Sequence, residues 1–207
     1  MKRMNPKQHG IALIFVLLIL VVVSLLGIGG AQLAMMGERG ARNERDTQIA
    51  RQYAEEALVD AEFDIRGPGT SPRQAIFNTE TNFSTDCGTS GDLQGLCAQA
   101  TSGKPVWLTV NFEAPTANAQ YMTLGGKTGR TIPNINGNGI QPALAPRYIV
   151  EWLPDKSLGK AVGLETSRGK AAGSIPAQRL YRVTAMGFGP RADIQTVVQM
   201  VFRKEQL

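Results

Sequence analysis

The first 36 residues constrain this chain more than any other part of it. A basic leader, MKRMNPKQHG, precedes residues 11–36, IALIFVLLILVVVSLLGIGGAQLAMM, and these 26 residues carry no charged side chain. As an α-helix the segment would extend for about 39 Å, which exceeds the roughly 30 Å of a bilayer's hydrocarbon core. We therefore predict a membrane-spanning helix, with the rest of the chain attached to it.

Two simpler interpretations of this segment fit less well. A secretory signal peptide has an apolar region of roughly 7–15 residues followed by a small-residue cleavage site. Here the apolar run is longer and no such site ends it. The core helix of a soluble domain would show a polar face, which an unbroken apolar run does not provide.

The charges around the span predict its orientation. Lys2, Arg3 and Lys7 precede it without an acidic residue among them, so the N-terminus should stay cytoplasmic and the chain after the span should be exported. The formal net charge is +5 for the whole chain and +2 without these three residues (5 − 3 = 2). No basic stripe is interleaved with aromatic residues, so specific nucleic-acid binding is not predicted.

The segment after the span continues as a helix of a different kind. Residues 38–64 are rich in Ala, Glu, Arg and Gln, which favour helix formation. Four alanines recur at intervals of four and three residues, which places them on one face: Ala50, Ala54, Ala57 and Ala61. Arg66-Gly67-Pro68-Gly69 ends the pattern. We predict one long helix over residues 11–64, apolar all round at first and amphipathic later.

These N-terminal features resemble those of a known family. Gly10 and the apolar helix are followed by NERD at residues 43–46 and by AEEALVDAE at residues 54–62. This order is similar to the N-terminal signature of type IV pilins and, among them, of the PilX group of minor pilins. The resemblance returns at residues 181–189, YRVTAMGFG, and the strand that follows. It implies a type IV pilin fold, an α+β arrangement whose long N-terminal helix packs on a small antiparallel sheet.

The resemblance also implies how the N-terminus is processed. A prepilin peptidase would cut between Gly10 and Ile11 and methylate the new amino group of Ile11. Most pilins carry Glu at the fifth residue of the mature chain, where this sequence has Phe15. Because a carboxylate buried among apolar helices needs a partner, its absence changes the assembly contact. Phe15 predicts a subunit outside the ordinary register, such as one at a filament end.

The chain is expected to have four parts: a leader (1–10), a transmembrane or filament-core helix (11–36), its amphipathic continuation (37–66) and an exported globular domain (67–207). In that domain β-rich runs predict strands at 106–110, 147–153, 179–186 and 194–202. The last two should form an antiparallel hairpin.

Two long stretches of the exported domain lack a strand pattern. They are residues 111–146 and residues 154–177, and the second is basic. Loops of this length are usually functional or mobile. The basic stretch is either a solvated loop or a contact surface for a partner specific to this subunit.

The two cysteines, Cys87 and Cys97, lie in the predicted exported domain. An even pair in an oxidising compartment indicates a disulfide. Two cysteines and the single histidine, His9 of the leader, do not suffice for a zinc site. We therefore predict no metal site and no cofactor.

No catalytic motif is evident in the sequence. It lacks G-x-S-x-G, a Walker loop and H-E-x-x-H, and the adjacent Glu55 and Glu56 do not share a helix face as an acid/base pair would. The chain is therefore predicted to be a structural protein and not an enzyme.

The leading hypothesis is a minor pilin that begins in the inner membrane and moves into the pilus at the cell surface. By resemblance it would help to prime assembly at or near the tip and support adhesion, twitching motility or DNA uptake. Its implied partners are prepilin peptidase, major and minor pilins, the inner-membrane assembly platform and a tip adhesin. Two alternatives stay open: a tip pseudopilin of type II secretion, and a single-pass binding protein that never polymerises.

Overall fold

A computed structural model of the chain describes residues 11–67, 73–131, 139–154 and 179–204. The elements, in chain order, are α1 (Ile11–Arg66), β1 (Leu96–Ala98), β2 (Met122–Thr123), β3 (Arg147–Leu153), β4 (Arg179–Phe188) and β5 (Gln195–Lys204). By internal contacts the chain divides between Arg45 and Asp46. The leader with Gly10, and nearly all of the predicted loop 154–177, lie outside the described residues.

The N-terminal part of α1 confirms the predicted apolar helix. Residues 11–45 are helical throughout, and the glycines at positions 27, 29 and 30 do not interrupt the helix. From Ala12 to Met36 every residue is exposed except the half-buried Gly29. This part of the chain therefore has a surface that water solvates poorly on all sides.

The C-terminal part of α1 is amphipathic, as predicted. Ala50, Ala54, Ala57 and Ala61 are all fully buried, and Ile65 extends the stripe by one further turn. The helix ends at Arg66, and the amide of Gly67 donates to the carbonyl of Phe63 at 2.7 Å. Gly67 has a φ of +59°, a conformation that glycine adopts readily at a helix C-terminus.

The sheet has the strand order β1-β3-β4-β5, and β2 also pairs with β3. β4 and β5 form the predicted antiparallel hairpin, with Tyr181 opposite Phe202 and Phe188 opposite Gln195. The α+β fold is confirmed, but the sheet is mixed and not wholly antiparallel, because β1 runs parallel to β3. β1 has only three residues, too few for a period-two pattern to reveal it in the sequence.

Both faces of the sheet are covered at its central strand β3. One face packs on the alanine stripe of α1, and on the same face Trp152 of β3 and Tyr181 of β4 pack with the rings of Phe77 and Phe83. The other face contacts a smaller cluster around Cys87, Cys97, Phe112, Tyr121 and Ile149. Consequently the first five residues of β3 are all buried.

The strand predicted at residues 106–110 is wrong. Val106–Leu108 form a 3₁₀ turn that begins after Pro105, and the amides of Leu108 and Thr109 donate to the carbonyls of Pro105 and Val106 at 3.0 and 2.8 Å. Val106 and Val110 are both buried. Their four-residue spacing puts both side chains on one side of a turn, and tertiary contacts outweigh the β-propensity of the run.

Cys87 and Cys97 form the predicted disulfide. It closes a loop that is tied to β1, since Cys97 lies in that strand, and the amide of Gly95 donates to the carbonyl of Cys87 at 2.7 Å. The disulfide therefore fixes the edge of the smaller cluster on the second face of the sheet, which contains both cysteines.

Replacing both cysteines with serine should lower the free energy of unfolding by about 2–3 kcal/mol in the loop-entropy model. The measurement is chemical denaturation of the full chain in detergent micelles. Reductant should shift the wild type toward the variant and leave the variant unchanged. Equal midpoints for the oxidised wild type and the double variant would contradict the prediction.

Candidate assembly surface

The predicted processing site lies at the start of α1. Ile11 is the first helical residue, while Gly10 lies outside the described residues. Phe15 is 62% exposed on the first turns of the helix. Cleavage and methylation at this point stay predictions, because no contact in the structure bears on them.

The apolar part of α1 is a candidate interaction surface of the described chain. Its large side chains between Leu13 and Leu26 are 46–72% exposed. The helix is long and apolar enough to cross a membrane, and none of its most apolar window is buried. A surface of this kind is stable in lipid or among other apolar helices and is unstable in water.

The charged part of α1 is stabilised by ion pairs along its own surface. Arg51 bonds to Glu55 at 3.0 Å and Arg66 lies 3.4 Å from Glu62, each with the four-residue spacing of neighbours on a helix. These side chains are largely exposed, so each pair contributes only about 0.3–0.5 kcal/mol. The pairs support the helix and do not resemble a catalytic arrangement.

A turn of the globular domain is bonded to a buried carboxylate of α1 that was not predicted from the sequence. Asp60 is fully buried and accepts hydrogen bonds from the Gly125 amide at 2.8 Å and from the Thr128 hydroxyl. The guanidinium of Arg130 lies 3.8 Å from the same carboxylate. Gly125 has a φ of +77°, and a Cβ there would lie 2.0 Å from the carbonyl oxygen of Arg130.

One turn further along α1, a second buried carboxylate joins three parts of the domain. Asp64 accepts a hydrogen bond from the Tyr148 hydroxyl of β3 at 2.9 Å and pairs with the guanidinium of Arg73 at 3.5 Å. Asp64 and Arg73 are both fully buried. Burial, together with the nearby Asp64, raises the pKa of Tyr148 well above its usual value, so the hydroxyl stays protonated and donates.

Asp60 gives the domain a pH dependence whose sign follows from its surroundings. Burial raises the pKa of Asp60, although the bonds from Thr128 and Gly125 and the charge of Arg130 act in the opposite direction. The folded state therefore holds a proton on Asp60 more tightly than the unfolded chain does. The stability that this tighter proton binding gives the folded state is fully present below the ordinary Asp pKa of about 3.9. It is lost as the pH rises through the raised pKa of Asp60 in the folded state.

We expect the wild type to lose stability relative to Asp60→Asn as the pH rises from about 4 through the raised pKa. Unfolding free energies of both chains, measured between pH 3 and 8 in the same detergent, provide the test. Asp193→Asn, at a residue on the exposed turn before β5, is the control and should not reproduce this difference. If the wild type instead gained stability relative to Asp60→Asn as the pH rises, the raised pKa of Asp60 would be contradicted.

The described residues contain no group of three or more His, Cys, Asp or Glu side chains that could hold a metal ion. The two buried aspartates are held by main-chain, hydroxyl and guanidinium donors, which is the chemistry of a structural bond between helix and sheet. The apolar part of α1 is the candidate functional surface, and the globular domain is bonded to the helical segment that follows it.

Comparison with known proteins agrees with this arrangement. A family model described as PilX N-terminal matches residues 9–59, and a model described as type IV pilus assembly protein PilX C-term matches residues 93–204. Searches of curated proteins and of solved structures found no match. Since the C-terminal model alone spans more than half of the sequence, the chain belongs to the PilX family of type IV pilus assembly proteins.

Proposed function

We propose that this minor pilin acts by assembly, after prepilin peptidase has cut between Gly10 and Ile11 and methylated Ile11. The precursor would span the inner membrane once, with a cytoplasmic N-terminus and a periplasmic domain. The mature helix would then leave the lipid and pack among other pilin helices. The observation that carries this proposal is the uninterrupted apolar helix from Ala12 to Met36, exposed on all sides in the isolated chain.

The proposed position is at or near the pilus tip, where the subunit would help to prime assembly. Phe15 supports this, because a subunit without the usual glutamate lacks the carboxylate that other pilins offer to a neighbour's terminal amine. The proposed partners are the peptidase, major and minor pilins, the inner-membrane assembly platform and a tip adhesin. Adhesion, twitching motility and DNA uptake would follow from a working pilus.

The test of processing uses Gly10→Val in the full chain, since a side chain there would obstruct close approach of a peptidase to the backbone. Mass spectrometry of the wild type should find a mature N-terminus at methylated Ile11. The variant should retain its leader and should be missing from sheared pili. Gly37→Ala, in open space on the helix, is the control and should be processed normally. Normal entry of uncut Gly10→Val into pili would refute the proposal.

Phe15→Glu is expected to raise the number of copies in the filament shaft several-fold. The new carboxylate would be costly in lipid unless paired, and a neighbour's terminal amine in the filament would provide that pairing. The copy number relative to the major pilin can be measured by mass spectrometry of sheared pili. Phe15→Leu, which adds no charge, should leave it unchanged. An equal copy number in all three strains would show that position 15 does not set the location.

The two alternatives predict different results when the gene is deleted. A pilus subunit predicts loss of surface pili or of twitching, whereas a secretion pseudopilin predicts loss of exported substrates. A binding protein that never polymerises predicts that deletion affects neither the pili nor secretion, and that the protein keeps its original N-terminus at Met1. The PilX family match favours the first, because the C-terminal family model describes a type IV pilus assembly protein.

A further inference from the structure

β5 forms one edge of the sheet. Among the described residues it pairs with β4 on one side and with no strand on the other. Exposed edge strands usually carry charged residues or proline, which oppose pairing with another strand. From Gln195 to Phe202, β5 has neither. Val197 and Val201 are 44% and 61% exposed and lie on the same face of the strand.

An apolar groove continues this surface at the start of β5. It encloses about 260 Å³ and is lined in part by Trp107, Leu108, Met186 and Val197. Leu108 is 56% exposed. A strand added along β5 would pair its main chain with the edge, while one of its apolar side chains would enter the groove.

Among the described residues, the opposite side of the sheet does not offer a matching edge. β1 is closed on its outer side by Ser84, whose amide donates to the Leu96 carbonyl and whose carbonyl accepts from the Ala98 amide at 3.3 and 2.8 Å. β2 is only two residues long. Two copies therefore cannot extend the sheet head to tail by placing β5 of one against the far edge of the next.

Symmetric pairing of β5 with β5 of a second copy is also disfavoured. β5 runs in the same direction as residues 46–66 of α1. Just before β5 begins, Gly189, whose amide donates to the Ile194 carbonyl, lies close to the Asp46 carbonyl. Near the end of β5, the guanidinium of Arg66 lies 5.0 Å from the centre of the Phe202 ring. Antiparallel pairing would separate the two Asp46 ends by about 27 Å, eight residues of strand. The two chains would then run toward their membrane-spanning segments from opposite ends of the paired strands, which disfavours anchoring of both copies in one membrane.

We propose that the outer edge of β5 binds an extended, uncharged segment of a different exported protein, which adds a strand to the sheet. The inference takes the membrane anchoring and export of the domain from the proposed function. Alternate apolar side chains of the added strand would cover Val197 and Val201, and one would occupy the groove beside Leu108. Because the far edge of the sheet is closed, the chain would take one such partner and would not propagate a sheet.

The first test asks whether the edge is open in the chain itself. Amide exchange of the full chain in detergent should alternate along β5, because one side of the strand bonds to β4 and the other to water. Residues 180–186 of β4, paired with β3 on one side and β5 on the other, should be protected throughout. Uniform protection along β5 would show that the chain covers its own edge and would overturn the proposal.

The second test identifies the occupant in living cells. A photoreactive benzoylphenylalanine replaces Val197 or Val201 in the full chain, and Leu93, an exposed apolar residue at 43%, serves as the control site. Two differently tagged copies are produced together. We expect crosslinks from positions 197 and 201, and not from 93, to one segment of another exported protein that is uncharged over about five residues, the length of an ordinary strand.

Three results would overturn the proposal: crosslinks between the two tagged copies, crosslinks to a charged or helical segment, or no crosslink at either valine. Val201→Lys should reduce the crosslink from position 197 at least about tenfold, since a lysine on an edge strand opposes pairing, and Leu93→Lys should not. Processing and pili are scored in the same strains. Normal pili without crosslinks reject only the docking, whereas unprocessed chains in normal pili reject the proposed function.

Discussion

Replacing Gly187 with valine should lower the free energy of unfolding of the globular domain by about 3 kcal/mol or more. Gly187 lies in β4 where the strand meets the alanine stripe. A Cβ at this position would lie 2.0 Å from the carbonyl oxygen of Ala50 and 2.3 Å from the amide nitrogen of Ala54. Both are main-chain atoms of a helix and cannot rotate away, so strand and helix must separate. Overpacking of a core commonly costs about 1–3 kcal/mol even where side chains can adjust.

The measurement is chemical denaturation of the full chain in detergent, followed by tryptophan fluorescence, because Trp152 lies on the helix-facing side of the sheet. Gly40→Ala is the matched control. That glycine is on the exposed part of α1 with nothing near its missing side chain, so alanine should leave stability unchanged or raise it by up to about 1 kcal/mol. Equal midpoints for Gly187→Val and Gly40→Ala would contradict the packing described here.

Replacing Asp64 with asparagine should cost about 3–5 kcal/mol at neutral pH. The substitution keeps the size of the side chain but removes the anion that faces the fully buried guanidinium of Arg73. Arginine stays charged at any accessible pH, so it would either remain buried without compensation or leave the core and open the structure around Phe77, on which it packs at 5.3 Å.

A double variant distinguishes loss of the ion pair from general damage. Asp64→Asn combined with Arg73→Met removes both charges and should recover much of the lost stability, whereas Tyr148→Phe, which removes one neutral donor to the carboxylate, should cost only about 1 kcal/mol. These values come from the same denaturation curves. Additive losses in the double variant would show that the two side chains do not depend on each other.

Several elements were predictable from the sequence because their signals are local. The apolar helix, the alanine stripe at positions 50, 54, 57 and 61, the hairpin of β4 and β5, and the pairing of Cys87 with Cys97 all appear in the structure. Helix and strand periods repeat within a few residues, so a pattern in the chain is enough to reveal them.

Other features depend on contacts between distant residues. Asp60 and Asp64 appear in the sequence as ordinary acidic residues of a charged helix, although each follows a buried alanine of the stripe by three residues and so lies on its border. That spacing was the available signal, but a polar residue at such a border is normally solvated. Their burial follows from the turn at residues 125–130 and from Arg73, which bring donors to them from elsewhere in the chain.

The sequence by itself determined that this chain carries a membrane-length apolar helix with an amphipathic continuation, since charge and periodicity along a single segment suffice for both. Tertiary structure alone decided which strands join the sheet, that β1 runs parallel to β3, that residues 106–108 turn instead of extending, and that β5 is left with an open edge. The physical reason is that a short segment adopts whatever conformation best satisfies its neighbours' apolar surfaces and hydrogen bonds, and those neighbours are assembled only when the chain folds.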